Sequence, residues 1–293
     1  MNLRLFLLFK ILFLSSFQLL HADYSSRDEV KDFINYMSDK HNFDKTELAD
    51  LFNQALYQER VVRIMNRQPE GTMTWGRYKE MMISDSRLTA GKEFIDSFRS
   101  ELKKAEDIYG VPAEIIASII GIETRYGRIT GSTRVIDSLS TLAFDYPRRS
   151  KFFKIQLEEF LLLSKEEKFN PQEIKGSIAG AMGYGQFMPD SYRNYAVDFD
   201  NDGTRDILNN PVDAIGSVAN FLNKKGKWKP NTPIAMKARS VDKVEAIKSS
   251  FKPYMTEIEL SKMGLESVEK IPGNLKFVPI SLDTKEGYEY WLG

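Results

Sequence analysis

From Arg27 to about Gln58 the apolar residues Val30, Phe33, Ile34 and Met37, then Leu48, Leu51, Phe52, Ala55 and Leu56, recur three and four apart. That is the period of one helical face and predicts two helices. Asp44 followed by Glu47 has the spacing of a capping box opening the second. A less regular stretch, Pro69 to Trp75, follows. The pattern then predicts an amphipathic helix from Gly91 to Tyr109 stopped by Gly110, and another from Ala113 to about Tyr126. Pro112 stands where a first helical turn tolerates proline. Phe152–Leu163 and Pro211–Leu222 are two more helices, whereas the Gly-rich Gly176–Gly185 and the Asp-rich Asp198–Asp206 read as loops. After Gly226 the character changes. Lys229 to Pro233 is a cluster of breakers, and beyond it Lys276–Ile280 and Tyr288–Leu292 are the best strand candidates. The fold class is mainly α (α+β), with a helical region over 23–74, a central body over 75–226 and a small α+β region over 227–293.

Residues 1–22 stand apart from this pattern. Arg4 gives a short positive region, an apolar stretch runs from Leu5 to Leu20, and Ala22 offers a small residue for cleavage. This is the layout of a secretory signal peptide. Lys10 and Gln18 interrupt the stretch, which falls short of the ~20 apolar residues of a membrane span. An exported, periplasmic protein is expected.

Composition narrows the chemistry. With 41 basic and 41 acidic residues the chain is formally neutral, and without Arg4 and Lys10 its net charge is −2. A nucleic-acid partner is therefore not expected. There is no cysteine, so disulfides, thiol catalysis, zinc–sulfur sites and a lipid-bearing N-terminal Cys are all excluded. Of two histidines, His21 lies in the leader, so a Ser–His–Asp triad would rest on His41 alone and a multi-histidine zinc site is excluded. Catalysis must run on carboxylates, hydroxyls, lysine or a hard metal ion.

One carboxylate is out of place. In PAEIIASIIGIETRYG, at about 100° per residue from Ile115, Ile122 falls near 340°, Ile119 near 40°, Ile116 near 100° and Ile120 near 140°. Glu123 falls near 80°, within the apolar stripe. A carboxyl there loses hydration, and its pKa should rise toward the range of a useful proton donor. The competing reading is a buried glutamate paired with an arginine such as Arg125 or Arg128. A second feature is the loop GAMGYGQFMP, from Gly180 to Pro189. Its glycines let a backbone approach a ligand closely, while Tyr184 and Gln186 offer hydrogen bonds and a stacking face for a sugar. It lacks the spacing of a phosphate-binding loop and would also suit an ordinary tight turn.

The pair IIGIETRYGRITG and KGSIAGAMGYGQFMP, with STLAFDYPRRS between them and YAVDFDNDGTRDI and NPVDAIGSVANF after them, resembles the family of membrane-bound lytic murein transglycosylase B. The resemblance runs from about Trp75 to Phe221, roughly half the chain. It implies a lysozyme-like helical catalytic core, with an N-terminal helical domain and a small C-terminal β-rich domain. The implied activity cleaves the β-1,4 bond between N-acetylmuramic acid and N-acetylglucosamine in peptidoglycan without water, leaving a 1,6-anhydro ring. The family's single catalytic glutamate matches Glu123. Its substrate contacts fall on Ser177 and Gln186 in the glycine loop with Tyr184 between them, on Arg148 and Arg149 with Phe152 one turn on, and on Tyr78. No cofactor is implied for the chemistry. Peptidoglycan glycan strands are the implied partner, and a monomer is expected. The family's pattern continues past EGYEYWLG into a segment that lines the cleft, whereas this chain stops at Gly293, so those contacts are expected to be missing.

Asp198, Asp200, Asp202 and Asp206 occupy positions 1, 3, 5 and 9 of an EF-hand-like loop, with Gly203 at 6 and the backbone of Thr204 at 7. Asn209 stands where the bidentate glutamate belongs; the resemblance supplies Asp213 instead. A structural calcium ion is the expected occupant, and the alternative is an Asx-rich turn capping the helix near Pro211. Two other functional readings stay open. A muramidase hydrolysing the same bond would need a second carboxylate, for which Asp137 and Asp145 are the candidates near in sequence. A peptidoglycan-binding protein of low turnover would keep the fold and lose the cleft wall.

Overall fold

The structure is a computed structural model that describes residues 24–293 apart from 68–72, 242–243, 245–246 and 249. The expected leader, residues 1–22, lies outside the described residues, as does part of Pro69–Trp75. Among the described residues no helix is long and apolar enough to cross a membrane. The described residues pack as two units, divided between Gln58 and Glu59.

In the first unit α1 (Asp28–His41) and α2 (Lys45–Asn53) bury Val30, Phe33, Met37, Leu48, Leu51 and Phe52, and Phe33 meets Phe52 edge to face at 5.9 Å. The expected box at Asp44 supplies its acceptor half, taking the N–H groups of Thr46 and Glu47 at 2.8 and 2.9 Å.

The second unit opens with α3 (Glu59–Asn66), α4 (Trp75–Met82), α5 (Asp85–Ser97), α6 (Arg99–Tyr109) and α7 (Ala113–Thr124). The single helix expected over Gly91–Tyr109 is therefore two. Phe98 leaves the helical region at φ −119°, ψ 31°, while its ring stays 4.8 Å from Phe94. The break lets α5 pack on α7 while α6 reaches α11 (Pro211–Lys224). Gly110 ends α6 at φ 71° as expected.

Next come β1 (Thr133–Arg134), α8 (Val135–Phe144), α9 (Ser150–Glu166), β2 (Lys175–Gly176) and α10 (Pro189–Tyr195). All ten residues of α8 are buried, including Asp137, Ser138, Ser140 and Thr141. It is the central helix of this unit and packs along α9. Hydrophobic periodicity gave no sign of it, because a helix covered on every side has no polar face to set a period.

The C-terminal part is a four-stranded antiparallel sheet in the order β4-β3-β6-β5, made of β3 (Met236–Ser240), β4 (Leu265–Ser267), β5 (Pro279–Thr284) and β6 (Gly287–Leu292). With α12 (Glu257–Lys262) it buries Met236, Ala238, Leu260, Met263, Leu265, Phe277 and Leu292. Tyr288–Leu292 is a strand as expected. The strand expected over Lys276–Ile280 starts three residues later. Pro279, which cannot donate to a ladder, takes the first position of an edge strand. Phe277 instead makes an isolated bridge with Met255. The fold is mainly helical with small antiparallel sheets, in line with the expected class.

Candidate active site

The chain that carries Glu123 is held by three consecutive left-handed residues. Helix α7 ends at Thr124, and Arg125, Tyr126 and Gly127 follow at φ 52°, 59° and 82°. Each non-glycine residue in that region costs about 1–3 kcal/mol and persists only where its surroundings demand it. The surroundings here are specific. Arg125 and Tyr126 donate their N–H groups to Gly121 O and Ile120 O at 3.1 and 3.3 Å. The Tyr184 ring lies so close over Gly127 that a Cβ there would come within 2.1 Å of it. The helix thus stops one residue after Glu123, leaving its carboxyl in the last turn.

The apolar stripe of α7 divides in two. Ile116, Ala117, Ile120, Gly121 and Thr124 face the core, while Ile115, Ile119 and Ile122 are partly or largely exposed. Glu123 lies on this second, open flank beside Ile119. Its carboxyl therefore opens to solvent on one side and loses water on the other, where apolar walls close on it. Burial pushes its pKa up, and its place at the negative end of α7 acts in the same sense. Neither Arg125 nor Arg128 pairs with it among the described residues, so the ion-pair reading fails.

Glu123 lines a cleft of about 360 Å³ together with Ile119, Gly185, Gln186, Phe187 and Met188, closed on the far side by Ser191 and by Val218, Phe221 and Leu222 of α11. Among the described residues Glu123 is the one carboxylate in that lining. Asp137 is spent elsewhere, bound by two parallel hydrogen bonds of 2.8 Å from Arg134. Neither Asp137 nor Asp145 reaches the cleft lining.

Gln186 shares the cleft with Glu123. Its backbone is left-handed (φ 49°), and its side-chain amide donates to Thr130 O and Gly183 O, both at 3.0 Å. With both donors engaged on backbone, Oε1 remains to accept from a ligand. Ser177 lies at the foot of the same loop, directly after β2. Its Oγ accepts the N–H groups of Ala179 and Ala181 at 3.3 and 3.0 Å and so shapes the turn through Gly180. Tyr184 lies against the turn after Glu123 and outside the cleft lining.

The remaining expected contacts lie elsewhere. Arg148 and Arg149 are exposed on the 3-10 turn before α9, and the Arg149 guanidinium stacks 4.2 Å from the Phe152 ring centre. Tyr78, on α4, stacks on Trp75 at 5.9 Å, and the same helix packs on β5. None of these four lines the cleft. The residues that sequence reading passed over are the apolar ones, above all Val218, Phe221 and Leu222. They lie on the helix expected over Pro211–Leu222, whose pattern alone does not show that this face borders a cleft.

In the acidic loop, ligand oxygens of Asp198, Asp200 and Asp202 come within 4.8 Å of one another. Backbone N–H groups of Asp202 and Gly203 reach both oxygens of Asp198, and Asn210 Nδ2 donates to Asp200 at 2.8 Å. That amide holds the Asp200 carboxyl below its ordinary pKa. The backbone of Thr204 donates to Asp202 at 2.8 Å. Asp206 and Asp213 do not join the three. Asp206 accepts the N–H groups of Leu208 and Asn209. Asp213 is fully buried and accepts those of Phe199 and Asp206 at 2.7 and 2.8 Å. It ties the two ends of the loop to α11.

The comparisons agree with this geometry. The profile described as "Transglycosylase SLT domain" matches residues 25–293. Membrane-bound lytic murein transglycosylase B of Escherichia coli (strain K12) is 39% identical over 281 residues, covering 93% of this chain and 77% of that one. The X-ray structure of catenated lytic transglycosylase SltB1 from Pseudomonas aeruginosa superposes with a TM-score of 0.87 at 40% identity, covering 92% of this chain and 90% of that one. The structure of Escherichia coli lytic transglycosylase Slt35 in complex with calcium gives 0.85 at 39%, covering 92% and 85%. Likeness of sequence and of fold over nine-tenths of the chain joins a cleft with a lone, half-desolvated glutamate to one family: the chain belongs to the lytic murein transglycosylases and is a peptidoglycan lytic transglycosylase.

Proposed function

We propose that Glu123 works first as acid and then as base in a cleavage that consumes no water. The protonated carboxyl gives its proton to the oxygen linking N-acetylmuramic acid to N-acetylglucosamine, and the bond from the muramic C1 to that oxygen breaks. The C6 hydroxyl then bonds to C1 and returns its proton to Glu123, leaving a 1,6-anhydro ring and the original state of the enzyme. The observation that carries this reading is the single carboxylate in the cleft lining. A hydrolase of the ordinary kind needs a second carboxylate to activate water or to form a covalent intermediate, and Asp137 is held by Arg134. Gln186 Oε1 would accept from the bound sugar, and the Ser177 hydroxyl, accepting twice from backbone, keeps its proton to donate. Arg148, Arg149, Phe152, Tyr184 and Tyr78 would meet the glycan strand beyond the cleft. Residues 75–226 would form the catalytic core of a monomer exported to the periplasm by the leader.

Mass spectrometry of muropeptides released from purified peptidoglycan tests the reaction. Products one water lighter than hydrolytic ones are expected; reducing ends of full hydrated mass would overturn it.

The pH profile follows from the direction of the Glu123 shift. The reactive form is the protonated one, so kcat falls as pH rises through the pKa of Glu123. Burial raises that pKa, so the fall comes at higher pH than for a solvated glutamate. A kcat profile already falling through the ordinary glutamate range would contradict this.

We further infer that Asp198, Asp200 and Asp202, with the Thr204 carbonyl, hold a structural calcium ion, whose charge would neutralise three gathered carboxylates. With a Kd of about 10⁻⁴ M, 10 mM calcium stabilises by about 2.7 kcal/mol, or a Tm rise of roughly 5–10 °C. Asp200→Asn should abolish the rise. An equal rise in that variant, or none in the parent, would remove calcium from this loop.

A further inference from the structure

Thr124 follows Glu123 directly, is 1% exposed, and has no part in the proton transfers above. Its hydroxyl stands where three pieces of the site meet. The N–H of Gly127, third residue of the left-handed turn, donates to Thr124 Oγ1 at 2.9 Å. Oγ1 in turn lies 2.9 Å from Tyr184 O and 3.1 Å from Ile120 O. A hydroxyl has one proton to give. The Ile120 carbonyl already receives the N–H of Tyr126, and the Tyr184 carbonyl is nearer. The path therefore runs from the Gly127 N–H through the Thr124 hydroxyl to the Tyr184 carbonyl. Tyr184 precedes Gly185 and Gln186, both in the cleft lining with Glu123.

We propose that Thr124 is a positioning residue whose buried hydroxyl sets the Glu123 carboxyl against the Gln186 loop. The two segments lie sixty-odd residues apart in sequence, and both leave regular structure at the cleft, at Arg125–Gly127 and at Gln186, with positive φ. Such backbone is free to drift unless something fixes it. Tyr126 wedges one side, its hydroxyl lodged between α5 and α7 so closely that a Cβ at Gly91 or Gly121 would meet it at 2.4 Å. Thr124 fixes the other side, and it alone joins the end of α7 to the glycine loop by a side-chain hydrogen bond among those described. A shift of about 1 Å between acid and substrate-holding group can cost on the order of 10²-fold in rate.

This inference rests on Glu123 being the acid. The experiment measures kcat, KM and Tm for the parent chain, Thr124→Val, Thr124→Ser and Glu123→Gln on purified peptidoglycan, below the lowest transition. Thr124→Val keeps the shape and removes the hydroxyl; kcat should fall about 10²-fold with KM within about threefold, and Thr124→Ser should stay within about threefold of the parent in both. A merely structural role would lower Tm in both variants without dividing kcat from KM or Val from Ser. The proposal is overturned if Thr124→Val keeps its kcat while Glu123→Gln is inactive, if Ser falls as far as Val, or if only KM moves. Should Val not fold, Thr124→Ala takes its place; failure of both hydroxyl-free variants to fold would make the hydroxyl a stability element and overturn the proposal. Activity surviving in Glu123→Gln would instead remove the reading on which it rests.

Discussion

Glu123→Gln lowers kcat on purified peptidoglycan by at least about 10³-fold, with KM within about threefold. The amide has the size and shape of the acid, so the cleft and the bound glycan are undisturbed. What goes is the proton, and with it the base that closes the anhydro ring. One group serves both steps, and no other carboxylate in the described cleft lining can substitute for it. The variant should also be no less stable than the parent. Burial disfavours the charged form of Glu123, so folding stability falls as pH rises from the unfolded-state pKa through the folded one. A neutral amide escapes that cost. Near neutral pH the Tm should be equal or slightly higher, which excludes misfolding as the source of the lost rate. A loss below tenfold would mean that another group protonates the leaving oxygen, and would remove Glu123 from that role.

Glu123 was legible from a helical wheel, though the reason was only half right. The wheel showed one apolar stripe with a carboxylate inside it. In the structure Ile116 and Ile120 belong to the core while Ile115, Ile119 and Ile122 border the cleft or solvent. A continuous apolar arc can thus serve two surfaces at once, and only the packing of α11 against one of them decides which. The glycine loop was legible for a related cause: its glycines permit close approaches that no side chain tolerates. Helix α8 was invisible to periodicity because every side of it is covered. The break at Phe98 was invisible because α5 and α6 keep one apolar period across it. Strands β3 and β4 are short and mixed, and they take their form from the sheet that covers them.

Gly131→Ala should lower Tm by about 10 °C and disable the site, although Gly131 is not part of the cleft lining. Its φ of +107° is a conformation side chains rarely adopt. A Cβ there would also meet the Gly176 carbonyl carbon at 2.0 Å and oxygen at 2.1 Å, and Ser177 N at 2.5 Å. These are backbone atoms and cannot swing aside as a flexible side chain would. Either β2 must leave β1, to which it is paired at Thr133–Gly176 and Arg134–Lys175, or residue 131 must change its backbone. Both routes reach the site. Thr130, the residue before, supplies the carbonyl that holds the Gln186 amide at 3.0 Å, and Ser177 shapes the Gly180 turn. Strained backbone together with a forced displacement amounts to about 3–4 kcal/mol, and at roughly 2–4 °C per kcal/mol for a unit of this size that gives the stated shift. Calorimetry reads the Tm, and single-turnover release of muropeptides below the transition reads the site. A variant with parental Tm would show that β1 and β2 yield freely. A variant with lowered Tm and parental rate would show that Gln186 holds its place without Thr130.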